Sequence, residues 1–90
     1  MDVVRLLKQL IAIPSVNPMG RAVTGEIYFE GRLTQFLCSY FAELGVEYES
    51  IEVVHGRNNV IARTTPKPGV PTILMDVHQD TVLVEGMIVP

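Results

Sequence analysis

His78 and Asp80 lie two positions apart in Ile73-Leu74-Met75-Asp76-Val77-His78-Gln79-Asp80-Thr81-Val82, where an apolar run gives way to polar residues at an expected strand end. A neutral imidazole is the commonest protein ligand for zinc. It binds best when its second ring nitrogen donates to a carboxylate that fixes tautomer and orientation. In an extended segment, residues two apart leave the backbone on the same side, so Asp80 can orient His78 within one site. The competing readings are plain ones: a histidine satisfied by a backbone carbonyl, and an aspartate capping the next turn. Asp76 shares the same face but reads as a solvated carboxylate. His55, before Gly56, reads as a surface turn, and Glu47, Glu49 and Glu52 as the solvated face of a strand.

The elements that must position this pair follow from periodicity. Val3, Leu6, Leu7, Leu10 and Ile11 recur at three and four residues behind Asp2, which predicts an amphipathic helix ended by Pro14. The stretch from Asn17 to Gly25 reads as a loop. A second helix is expected from about Glu26 to Leu44, with Phe29, Leu33, Phe36, Leu37, Tyr40, Phe41 and Leu44 on one face and Gly45 as the stop. Gly31 inside that helix would cost about 1 kcal/mol relative to alanine.

Three strands are expected next: Val46 to Val54 with a slip near Ser50, Asn59 to Thr64, and Thr72 to Val77, which is apolar enough to be covered on both faces. Asn17, Asn58 and Asn59 read as turn formers, and Pro66 to Pro71 as a rigid turn. The fold class is therefore α/β: two helices followed by three strands, an incomplete part of a mixed-sheet α/β/α domain.

Composition excludes several functions. The net charge of -3 and an isoelectric point near 5.2, with arginines and lysines scattered, argue against a nucleic-acid partner. No run approaches the roughly 20 apolar residues of a membrane span, and the N-terminus does not read as a signal peptide, so a cytoplasmic location is expected. The single Cys38 rules out an internal disulfide or a cysteine-pair zinc site. There is no glycine-rich phosphate cradle and no nucleophile elbow. At 48% hydrophobic residues and a mean hydropathy of +0.30, 90 residues carry much apolar surface for so small a body to hide.

The run through His78-Gln79-Asp80-Thr81-Val82 resembles the first signature of the zinc-dependent amidohydrolase family of acetylornithine deacetylase, succinyl-diaminopimelate desuccinylase, aminoacylase and the glutamate-releasing carboxypeptidases. Leu10 to Pro18 is similar to that family's first helix and its Ile-Pro-Ser turn. Gly56 to Ala62 is similar to the strand before the signature, and Val84-Glu85-Gly86-Met87 to the loop after it. The likeness runs in order along nearly the whole chain. It departs at Val77, where the family has a small residue, and at Leu83, often proline.

The resemblance implies a metal-dependent hydrolase of amide bonds in N-acyl amino acids or small peptides. His78 would be a metal ligand and Asp80 its catalytic orienting partner. The cofactor would be zinc, with cobalt or manganese as alternatives and two ions in the intact site. The partner would be the small-molecule substrate, and the intact protein a homodimer. Family members are several times longer and supply a bridging aspartate, an adjacent glutamate pair and further ligands later in the chain. Residues 1–90 are therefore expected to be the N-terminal part of a catalytic domain, inactive alone. The alternative is a small noncatalytic α/β interaction module.

Overall fold

A computed structural model describes residues 2–84, and the expectations for the loop at Glu85, Gly86 and Met87 and for the apolar stretch to Pro90 fall outside them. The element order is helix α1 (Val3–Ile11), helix α2 (Gly31–Leu44), strand β1 (Glu47–Val54) and strand β2 (Arg57–Arg63). The mixed α/β character expected from the sequence is present.

Helix α1 forms where the periodicity places it. The Asp2 carboxylate accepts a hydrogen bond from the Val4 amide at 2.9 Å, satisfying one of the unpaired donors of the first turn. The helix buries none of its residues, and Val3, Val4, Leu7 and Ile11 leave its apolar side open.

Helix α2 starts five residues later than expected, at Gly31, because residues 27–29 have a stronger use. The Val16 amide donates to the Ile27 carbonyl at 2.8 Å and the Phe29 amide donates to the Val16 carbonyl at 2.8 Å. That pairing is a single bridge at Tyr28 that follows a turn, from the Tyr28 amide to the Gly25 carbonyl, and Phe29 sits in the left-handed region at φ 67°, a combination no helix allows. Gly31 thus occupies the first helical position and escapes the cost of a mid-helix glycine. At the other end Gly45 adopts φ 71°, and the amides of Gly45 and Val46 reach back to the carbonyls of Ala42 and Phe41.

Strands β1 and β2 form an antiparallel hairpin through His55 and Gly56, with Gly56 at φ 75°. The register runs from Glu47 opposite Arg63 to Glu52 opposite Asn58, then slips so that Val54 faces Arg57. The irregularity therefore lies between Glu52 and Val54, not near Ser50. Asn58 and Asn59 are inside β2, not turn residues: Asn58 donates from its side chain to Ser50 Oγ across the hairpin. Helix α2 packs against both strands.

The third expected strand does not form. Residues 72–77 run without a ladder partner among the described residues, and the sheet has two strands. Ile73, Leu74, Met75 and Val77 are each 83–87% exposed. A groove of about 480 Å³ separates this segment from β2, with Leu37 and Phe41 of α2 among its lining. The ladder is missing because the segment is held off β2 across that groove, with only its far end, at Gln79 to Thr81, tied down.

Burial is concentrated elsewhere. Ser15, Val16, Pro18, Glu30, Leu33 and Thr34 are the buried residues among those described, gathered where the chain after α1 crosses the start of α2. The accessible surface of 7719 Å² compares with about 5,200 Å² for a compact monomer of 10.0 kDa. The radius of gyration, 15.6 Å, exceeds the roughly 12 Å of a compact 90-residue domain.

Candidate functional site

The buried junction fixes the candidate residues. Val16 forms single parallel bridges with Tyr28 on one side and Thr81 on the other. Thr81 donates its amide to the Ser15 carbonyl at 3.0 Å, and its own carbonyl accepts the Asn17 amide at 2.9 Å. Gln79 is tied in beside it: its side-chain oxygen accepts from Thr34 Oγ1 at 2.9 Å, its side-chain nitrogen donates to the Asn58 carbonyl at 3.1 Å, and its own carbonyl accepts from Ser15 Oγ at 3.3 Å. Segment 79–81 is therefore held from the loop after α1, from α2 and from β2 together.

A second tie closes the start of α2 against β2. Arg57 grips the Glu30 carboxylate with two nitrogens, at 2.8 and 3.1 Å, and lies over the Phe29 ring at 5.4 Å from its centroid. Glu30 has 10% of its side chain exposed and Arg57 31%. The hydrogen bond to Glu30 raises the Arg57 pKa above its usual value, with burial opposing and the charges of Glu30 and Asp80 assisting.

On this frame His78 and Asp80 meet. The His78 Nδ1 lies 2.9 Å from the Asp80 backbone carbonyl and 3.3 Å from Asp80 Oδ1. Asn17 Nδ2 donates to the other carboxylate oxygen, Oδ2, at 2.7 Å. Asp80 is held below the usual carboxylate pKa, first by this hydrogen bond from Asn17, then by its own backbone and the His78 and Arg57 charges, with burial opposing. Asp80 is thus an anion at neutral pH, and both oxygens facing Nδ1 only accept. The ring proton then belongs on Nδ1, which leaves the lone pair on Nε2. The His78 side chain is 86% exposed, so that lone pair is not lost in apolar packing.

No family model, curated protein or solved structure matches this chain. Its chemistry has to be argued from these atoms. The donors here suit one coordination position and its supporting hydrogen bond, as a ligating histidine requires. They do not make a complete centre, since a catalytic zinc takes three protein ligands, and among the described residues no group of three His, Cys, Asp or Glu side chains converges.

The remaining expectations divide. Asp76 borders the groove together with His78 and Asp80. His55 sits in the hairpin turn. Glu49 pairs with Arg63 at 2.8 Å and Glu47 lies 4.0 Å from it, both on exposed surface. Val77 projects almost wholly into solvent and crowds nothing among the described residues. Reading from sequence missed Asn17 as a site residue: it is a turn former, as expected, its Oδ1 accepting from the Met19 amide at 2.8 Å, and it also binds Asp80. Ser15, Thr34 and Gln79 were missed as well. Helix α1 and α2 give no span: no helix among the described residues is long and apolar enough to cross a membrane.

The Asp80 pKa sets a pH dependence. A carboxylate lowered on folding contributes stability above its ordinary value of 3.8 and loses it as the pH falls through the folded value. The chain is expected to unfold at higher urea than Asp80→Asn at neutral pH, and the difference to close in acid below pH 3.8. An undiminished difference in strong acid would contradict this origin.

Proposed function

We propose that this chain is the N-terminal part of the catalytic domain of a zinc-dependent amidohydrolase acting on N-acyl amino acids or small peptides. His78 supplies one metal ligand through Nε2, and Asp80 orients it. A divalent metal at such a site polarises the amide carbonyl and acidifies a bound water. The general base, the bridging carboxylate and the remaining ligands come from residues other than those described.

The observation that carries this reading is the meeting of His78 Nδ1 with Asp80 while the ring stays exposed. The nearer acceptor, at 2.9 Å, is the Asp80 backbone carbonyl; the Asp80 carboxylate, at 3.3 Å, is the orienter that this reading calls for. The excess of accessible surface and the open apolar segment 73–77 also support membership of a larger body.

The test is turnover in metal-supplemented solution with N-acetylated amino acids. The chain alone is expected to give none above a His78→Ala control. Joined to a complementing C-terminal part that carries the missing carboxylates, it is expected to turn over, and His78→Ala in that assembly to abolish it. Equal rates with and without the imidazole would refute the proposal.

The second reading, a noncatalytic interaction module, draws on the groove between β2 and residues 74–78, whose apolar lining invites an extended partner segment. Zinc titration separates the two: a module has no reason to bind through His78 Nε2.

A further inference from the structure

Strand β2 has one edge in the ladder with β1 and one edge without a strand partner among the described residues. Gln79 Nε2 reaches that outer side and donates to the Asn58 carbonyl at 3.1 Å, so the backbone groups of Asn58 point away from β1. In an antiparallel ladder the backbone groups of every second residue share a side, which turns the N–H and C=O of Val60 and Ala62 outward as well. They border the groove of about 480 Å³ that has residues 74–78 as its opposite wall. Leu37 and Phe41 of α2, with Leu74, Met75 and Val77, give that groove an apolar lining.

The groove is thus a row of main-chain donors and acceptors set in an apolar trough. It is continuous with the candidate site, because His78 and Asp80 line it too, beside the end that the Gln79 side chain ties to Asn58. The hydrolase reading leaves two substrate classes, an N-acyl amino acid and a small peptide, and the trough separates them. An aliphatic acyl chain laid in it would cover the outward groups of Val60 and Ala62 and offer them no partner, at the full cost of their desolvation. An extended peptide covers the same groups and pairs them, while its alternate side chains meet the apolar lining. At roughly 3.3 Å per residue, about four peptide residues match the stretch from Asn58 to Ala62.

We infer that the outer edge of β2 is the substrate-holding part of the site, and that the substrate class is a short apolar peptide, bound in extended form along Val60 and Ala62 with its scissile amide at the His78 end of the groove. The inference rests on the hydrolase reading for its chemistry and selects between that reading's two substrate classes. Its binding readout needs neither metal nor turnover, so the two fail separately.

The experiment follows the backbone amide signals of the 90-residue chain as tetra-alanine is added. In the free chain the amides of Val60 and Ala62 are expected to exchange with solvent faster than those of Asn59 and Ile61, which face β1. Tetra-alanine is expected to shift the Val60 and Ala62 signals saturably and to slow their exchange. The same peptide methylated on alternate amide nitrogens keeps its side chains and loses its ladder donors, and is expected to bind about tenfold more weakly. N-octanoyl-alanine is expected to leave the exchange of both amides unslowed. Equal binding of the methylated peptide overturns the inference, as does protection of Val60 and Ala62 by N-octanoyl-alanine. Slow exchange at these two amides before any addition overturns it as well, since the edge is then closed by the chain itself. Peptide binding at the edge, with no hydrolysis of any substrate in the assembly that carries the complementing C-terminal part, upholds the peptide edge and refutes the hydrolase reading. Hydrolysis of N-acetylated amino acids there, without peptide binding, does the reverse.

Discussion

Replacing Arg57 with methionine is expected to lower the unfolding free energy by about 2–3 kcal/mol. The substitution leaves the aliphatic stem and strands the Glu30 carboxylate, 10% exposed, without the two nitrogens that now satisfy it. A charge left unpaired in such a place loses far more than an exposed ion pair gains, which is why the Arg63–Glu49 pair on the hairpin surface is expected to be worth under 1 kcal/mol. Loss of the contact with the Phe29 ring adds about 0.5 kcal/mol. Urea midpoints measure the cost. Glu30→Gln in the Arg57→Met background is expected to restore at least about 1 kcal/mol, because a neutral amide is easier to leave dry. A single-variant cost below that would show the pair to be solvated and α2 to be anchored by other contacts.

His78→Ala is expected to abolish the response of the chain to zinc. On the proposed reading the ring is the one ligand among the described residues, so binding is weak in absolute terms, and the expected result is complete loss of saturable perturbation at residues 78–81, not a graded decrease. His55→Ala is the matched control and should leave the titration unchanged, because its ring sits in the hairpin turn with no carboxylate paired to it among the described residues. Retention of the zinc response in His78→Ala, or its loss in His55→Ala, would move the candidate ligand to the other histidine.

What the sequence makes legible here is what local physics determines. The start of α1 follows from Asp2 and a three-and-four spacing, and the end of α2 from Gly45. The hairpin follows from two runs of strand-forming residues around His55-Gly56. His78 reaches Asp80 two residues on, but the nearest atom it meets is the backbone carbonyl, at 2.9 Å, with the carboxylate at 3.3 Å. The errors fall where a distant partner decides the outcome. Residues 27–29 forgo helix because Val16, more than ten positions earlier, takes their backbone groups. Residues 72–77 have strand composition, yet a ladder requires a second backbone within reach, and β2 lies across a groove. Asn17 carried a visible clue, an amide before a proline within the Ile-Pro-Ser segment, but only the fold places it against an aspartate 63 positions away.

That separation has a consequence for the order of events in synthesis. The contacts that join Ser15 and Asn17 to residues 79–81 close loops of 64 and 63 residues, with an entropy of closure on the order of 4 kcal/mol. While the chain is still emerging, the helices and the hairpin have the local contacts to form first. The hydrogen bond from Asn17 to Asp80 forms only when the returning segment docks beside Val16, so a half-made chain lacks the frame that holds residues 79–81.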